Sequence, residues 1–261
     1  MYFIFFIISF LASIVGSICG IGGGIIIKPV LDAFGYFDVS SISFLSGSTV
    51  LAMSTVSVML HLKTDRHVIR LSLSTPLAIG AAFGGILGKY LFQYFYLLLP
   101  DNNKIGAIQA FILVLLTLGT LIYTLMSHKI KTHHLQNKLA VSLVGLTLGL
   151  LSSFLGIGGG PINLILLEYC FSIKHKEAAV NSLYIIMISQ FTSLISTILS
   201  KSLPEFDILI IIIMVFAGIT GGMLGSKLHK KISSQNGQRL FIGLMAVIIG
   251  ISIYNIFRFV C

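Results

Sequence analysis

Gly20-Ile21-Gly22-Gly23-Gly24 interrupts an apolar stretch that runs from Tyr2 to Phe34, and the same pentapeptide returns 136 positions later as Gly156-Ile157-Gly158-Gly159-Gly160, inside Leu139 to Ile173. As one straight helix the first stretch would be about 50 Å long, against roughly 30 Å of bilayer hydrocarbon. Each stretch must break, tilt steeply or turn back, and a run of glycines is where the backbone can break. A second correspondence, Gly84-Gly85-Ile86-Leu87-Gly88-Lys89-Tyr90-Leu91 with Gly221-Gly222-Met223-Leu224-Gly225-Ser226-Lys227-Leu228, has an offset of 137. Two registers that agree to within one residue mark an internal duplication, with halves at residues 1–136 and 137–261.

The rest of the chain is equally apolar. Hydrophobic residues make up 56% and charged residues 10%, and the mean hydropathy is +1.02, which excludes a soluble domain of 261 residues. Runs long enough to span recur at Ser41 to Leu62, Ser72 to Phe92, Ile105 to Ser127, Ala178 to Leu199, Phe206 to His229 and Leu240 to Val260. They lack the alternation of a membrane barrel, so they are expected to be helices. Met1-Tyr2-Phe3-Ile4 has no basic n-region and the apolar stretch continues past any cleavage point, so it is not read as a signal peptide. Ile18 before Cys19 is too large for a lipoprotein site. Cys19, Cys170 and Cys261 have no ligand-like spacing and read as lipid-buried thiols; no metal or cofactor is expected.

Lysine and arginine positions decide how the broken stretches sit. If each crosses once, eight basic residues fall on one side and seven on the other. If each returns to the side it started from, Lys63, Arg66, Arg70, Lys129, Lys131, Lys138, Lys174, Lys176, Lys227, Lys230, Lys231 and Arg239 gather on one side. Lys104, Lys201 and Arg258 remain opposite. Twelve against three is the bias of a cytoplasmic face. The seven histidines fall on or near the basic side, and Asp38, Asp101, Glu205 and Asp207 fall opposite. The same bias accounts for the net charge of +9 and the basic loop His128 to Lys138 without a nucleic acid partner.

The expected architecture is an all-α polytopic membrane protein of two inverted repeats, each a glycine-broken re-entrant helical hairpin plus three transmembrane helices. Three crossings per half turn the second half upside down, and both termini are expected outside the cytoplasm. In such a hairpin the returning helix starts at the tip, so its free N–H groups and positive dipole end lie at mid-depth. Glycines let that backbone approach a ligand closely, which suits an anion. The alternative is that they merely permit tight helix packing. Ile25 and Pro161 stand where a dinucleotide fingerprint needs its third glycine.

The two GIGGG motifs resemble those of the TauE/SafE family of membrane transport proteins, whose members include sulfite and organosulfonate exporters. Pro29 with Leu31 is similar to the family's proline and leucine after the glycines, and Gly47-Ser48-Thr49 resembles its Gly-Thr-Ser element. Asn181-Ser182 holds the corresponding place in the second half, and the resemblance covers essentially the whole chain. Lys28, Ile165 and Pro161 depart from the family pattern. The resemblance implies a secondary transporter that moves a small anion, sulfite or an organosulfonate, by alternating access in a bacterial cytoplasmic membrane. An anion channel or a transporter of another small solute is the alternative. An intramembrane enzyme is not expected, since the sequence offers no convincing His pair at membrane depth and no nucleophile with a base.

The candidate substrate-binding residues are Gly22, Gly23, Gly24, Gly158, Gly159 and Gly160 of the bends, with Ser48, Thr49, Asn181 and Ser182 of the helices that follow. The hydroxyls of Ser48, Thr49 and Ser182 could instead bond their own helix backbone or a neighbouring helix. Asn163 and Gln190 need a partner or water at membrane depth and read as pore-facing. Asp32 and Glu168 are equivalent under the 136-residue offset, as coupling carboxylates or as residues near the membrane surface. Lys28, four residues before Asp32, either pairs with it or offers a charge to an anion. Gly80, Gly84 and Gly88, with Gly218, Gly221, Gly222 and Gly225, are expected to allow close helix contact; a homo-oligomer stays open.

Overall fold

The computed structural model describes all residues except Met1, Arg66, Pro100, Asp101, His128, Lys129, Lys131, Gln136, Ser202 and Cys261. Arg66, Asp101, Lys129 and Lys131 of the charge argument, His128 of the basic loop and Cys261 thus lie outside the described residues.

The described chain forms ten α-helices: α1 (Tyr2–Cys19), α2 (Gly24–Phe34), α3 (Val39–Thr64), α4 (Leu71–Leu98), α5 (Asn102–Met126), α6 (Lys138–Leu155), α7 (Pro161–Phe171), α8 (His175–Leu199), α9 (Ile208–Lys231) and α10 (Ser234–Val260). Eight are long and apolar enough to cross a membrane; α2 and α7, with 11 residues each, are not. Each follows an oligoglycine break, so the broken stretches are a long helix and a short one joined at the glycines. Helix is the required form because lipid offers the backbone no partner. The side chains of Asp38, Asn137 and Asp207 cap α3, α6 and α9 by accepting from the N–H groups of Ser40, Leu139 and Leu209 at 3.2, 3.0 and 2.8 Å. The last helix begins at Ser234, before the expected Leu240, because its polar first turns score low in hydropathy and yet are helical.

The halves interlock. Helix α4 packs along α6, and α9 along α1, so the third long helix of each half lies on the first helix of the other. Glycines make this contact close: a methyl on Gly84 would lie 2.0 Å from the Leu146 carbonyl oxygen, and one on Gly149 2.0 Å from that of Ala81. On α9, Gly221 and Gly225 face Phe10 and Ile14 of α1, while Gly218 and Gly222 face Thr49 and Met53 of α3. The glycine series thus serve contacts within one chain.

Corresponding contacts recur at the sequence offset. Ser17 Oγ lies 2.8 Å from Ser57 Oγ, and Ser153 Oγ 3.0 Å from Ser193 Oγ, each residue displaced by 136. Helix α3 connects two ends of different character. At its start, Ser41 donates to the Glu205 carbonyl at 2.7 Å and Tyr2 to Asp207 at 2.9 Å, while Arg258 donates to the Asp32 carbonyl. At its finish, Lys230 donates to Thr64 at 2.6 Å, Arg70 pairs with Glu177 at 2.7 Å, and Lys176 donates to the Lys230 carbonyl at 3.1 Å. The described basic residues of the larger group that make these contacts share one end.

Candidate functional site

The two glycine bends touch. A methyl on Gly24 would sit 1.9 Å from the Ile157 carbonyl oxygen; one on Gly22 would lie 3.6 Å from the Gly158 oxygen, and one on Gly159 3.2 Å from the Ile21 oxygen. Gly22 and Gly158 have φ of 77° and 69°, the left-handed region where only glycine is at ease. Val50 of α3 and Ile186 of α8 close over both bends: a methyl on Gly22 would meet Val50 Cγ1 at 3.4 Å and Ile186 Cδ1 at 3.6 Å. Val50 and Ile186 are 136 apart, and each is the twelfth residue of its helix. The bends therefore meet at the middle of two long helices.

Helices α2 and α7 both start at this meeting point. Neither Gly23 nor Gly160 supplies a side-chain cap; Ile26 N bonds back to the Gly23 carbonyl at 3.0 Å and Asn163 N to that of Gly160 at 3.2 Å, so the N–H groups of Gly24, Ile25 and Ile162 are the donors at the two helix starts. Pro161 at the start of α7 removes one donor and presets its φ. Gly23 packs back on α1, 3.2 Å from the Ala12 carbonyl oxygen to an added methyl, and Gly160 lies in extended backbone.

Of the side chains expected here, Gln190 and Asn163 reach the bends. Gln190 Cδ would be 3.2 Å from a methyl on Gly158 and its Oε1 2.9 Å from one on Gly47, so it lies between the second bend and α3. Asn163 is buried beside Gly158, Gly159, Ser152 and Ser189, and its Oδ1 has no protein partner. The crevice they share is too narrow for a water molecule. Ser182 Oγ is fully buried and also unpartnered.

Ser48 and Thr49 donate to the carbonyls of Phe44 and Leu45, each at 2.9 Å, within their own helix, and Thr49 packs on Gly218. Asn181 lies toward the basic end. Its Oδ1 accepts from Arg70 N at 2.9 Å and Ser74 Oγ at 2.7 Å, and its Nδ2 donates to the carbonyls of Val68 and Glu177. It clamps the α3–α4 connection onto α8.

Lys28 and Asp32 form a buried ion pair at 2.8 Å, on the side of α2 that faces α5 and α10. Around them Asp32 Oδ1, Gln109 Oε1, Ser252 Oγ and Asn255 Oδ1 lack protein partners. Lys28 Cε lies 3.3 Å from a methyl on Gly156, so its stem backs the second bend while its ammonium turns to Asp32. Glu168 lies elsewhere, 2.5 Å from His175 Nδ1 near the basic end.

Two features escaped sequence reasoning. Ser46, whose Oγ would be 2.9 Å from a methyl on Gly24, is fully buried and unpartnered. It is the 136-residue equivalent of Ser182, a signal the offset carried. His61 and His229 pack edge to face with centroids 5.2 Å apart, and His229 Nδ1 lies 2.7 Å from the Ile18 carbonyl oxygen at the foot of the first bend.

The family described as sulfite exporter TauE/SafE matches residues 5–253. A probable membrane transporter protein of Methanocaldococcus jannaschii is 27% identical over 254 residues, covering 92% of this chain and 91% of that protein. The probable membrane transporter protein YunE of Bacillus subtilis is 24% identical over 268 residues, covering 90% of each. No solved structure matches.

Proposed function

As this chain belongs to the sulfite exporter TauE/SafE family, and is a multi-pass membrane transporter rather than an enzyme, we propose that it carries a small anion, sulfite or an organosulfonate, across a bacterial-type cytoplasmic membrane by exposing a mid-membrane site alternately to each side. The observation that carries this reading is the meeting of the two glycine bends between Val50 and Ile186. Two short helices begin there without side-chain caps, so two positive dipole ends converge where an anion needs them. Half-helices that start at mid-depth are how inverted-repeat transporters hold anionic groups.

Contacts at the feet of the broken stretches support re-entrant hairpins. The Phe5 ring, early in α1, lies 5.8 Å from that of Phe37, just beyond α2. Just before α6, His133 N donates to the Tyr169 carbonyl at 2.7 Å and Leu135 N to that of Cys170 at 2.9 Å, at the finish of α7. Each stretch returns to the end it left, the first beside the acidic group and the second beside the basic one. Two hairpins inserted from opposite faces, each followed by three crossings, make the inverted repeats of residues 1–136 and 137–261, with both termini outside the cytoplasm.

In this reading Gly22, Gly23, Gly24, Gly158, Gly159 and Gly160 shape the cradle, and Ser46, Ser182, Asn163 and Gln190 supply side-chain contacts. Lys28 and Asp32 secure α2, and Ser48, Thr49 and Asn181 support the helices around it. The crevice at the bends admits no water, while recesses of about 440 and 450 Å³ lie at the basic end and beside Asp38 and Glu205 at the other. A closed centre between two open recesses suits alternating access better than a channel. The test is counterflow of labelled sulfite, a taurine-like sulfonate and sulfate in proteoliposomes, with and without a proton gradient. Saturable exchange of the first two is expected; conduction without saturation indicates a channel, and movement of a cation alone refutes the reading.

A further inference from the structure

The recess at the basic end holds about 440 Å³, several times what a bare sulfite fills, and its wall is assembled from the finish of α3, the start of α8 and the junction of α9 with α10. Its chemistry is that of an anion receptor. Helix α8 presents its N-terminus there: Lys174 at the cap makes no side-chain capping bond, and Lys174, Lys176 and Glu177 at the start of this 25-residue helix line the cavity. Lys174 is exposed in the wall.

The other charges are already engaged. Lys176 donates to the carbonyls of Lys230 and Ile232, and Lys230 to Thr64 Oγ1 and the Leu60 carbonyl, so these two ammonium groups neutralise the finish of α3 and α9. The wall carboxylates are held as well: Glu177 pairs with Arg70 at 2.7 Å, and Asp65 accepts from the His67 N–H at 2.9 Å. An independent observation points to a ligand. His61 lies in the same wall only 4% exposed, and its Nε2 has no hydrogen-bond partner, an arrangement that normally calls for an occupant. Val68 and Val180 give the recess an apolar side.

The floor leads to the central bends. His229, which packs on His61, bonds the Ile18 carbonyl, and an added methyl on Gly20 would lie 2.2 Å from Ala179 Cα, next to Val180 of the wall. We infer that this recess is a second anion-binding site, a loading vestibule that holds a small organic anion before it reaches the bends. Its oxyanion head rests on the α8 N-terminus and Lys174, within reach of His61, and its short apolar tail lies against Val68 and Val180. The inference rests on the transport reading above.

The experiment uses the full chain in liposomes, with Cys19, Cys170 and Cys261 replaced and Ser234→Cys introduced at the cavity rim. A sulfonate-bearing methanethiosulfonate should modify this thiol about tenfold faster than its trimethylammonium counterpart, after correction for their rates with a free thiol. 2-Hydroxyethanesulfonate or lactate should slow modification by the cationic reagent, with the stronger of the two identifying the head group, and sulfate should protect less because it has no tail. His61→Leu and Lys174→Gln should each remove the protection; Lys174 is exposed, so its loss of protection is not a folding failure. Equal reagent rates, absence of protection, or protection that survives both substitutions would overturn the inference. Protection without counterflow of any anion would keep the site and remove the transport reading, whereas counterflow without protection would do the reverse.

Discussion

Ser46 and Ser182 are fully buried hydroxyls with no partner, at equivalent positions of the two halves. An unpaired buried hydroxyl costs about 1–3 kcal/mol, so its retention at both places suits a group that is paired in another state of the cycle. The variants Ser46→Ala and Ser182→Ala should keep or slightly raise the melting temperature in detergent while lowering sulfite counterflow about tenfold, the loss of one good contact. At Gly158 an alanine would combine left-handed backbone with a methyl 3.1 Å from Val50 Cβ, and should cost about 2 kcal/mol. Gly243→Ala, in open space on α10, should instead gain up to ~1 kcal/mol by the same thermal measurement. Asp32→Ala strands the Lys28 ammonium in the interior and should cost about 3–5 kcal/mol, much of it regained in the double variant Lys28→Met/Asp32→Leu. If that double variant melts normally but no longer carries anion, the pair acts in transport and does more than secure α2.

Between helices, the closeness of α4 and α6 depends on the absence of side chains. Gly84→Leu would drive a branched chain into the Leu146 carbonyl and should lower stability by about 3 kcal/mol, whereas Gly119 on α5 is exposed and a methyl there would meet nothing within 4 Å, so Gly119→Leu should be tolerated. Much at this scale was legible from sequence, because length against bilayer thickness and the glycine breaks are local facts. The polar opening of α10 was not, since hydropathy registers apolar turns and passes over a helical start made of polar residues. Nor could spacing reveal that Ser48 and Thr49 turn back on their own helix, or that Asn181 binds Val68, Arg70 and Ser74. Rotamer choice and tertiary contact decide these. Ser46 is legible through the 136-residue offset from Ser182, whereas the family-like Gly47-Ser48-Thr49 element points to its neighbours. The His61–His229 pair joins helices from different halves, and periodicity within one helix carries no trace of it.

Across the whole molecule, the interlocking of halves, the recurrence of contacts at one offset and the closure of both bends on Val50 and Ile186 support the proposed alternating access, in which the scaffold would rock about a fixed centre. The central requirement of the proposed transport cycle is that the two glycine-broken stretches are re-entrant hairpins inserted from opposite faces of the membrane. Side-specific labelling tests this most directly, with cysteines at Tyr36 and His134, both exposed near the feet of the two hairpins, in a chain whose native cysteines are replaced. With a membrane-impermeant maleimide on intact cells, Tyr36→Cys should be labelled from outside and His134→Cys only after permeabilisation. Labelling of both from the same face would contradict the account.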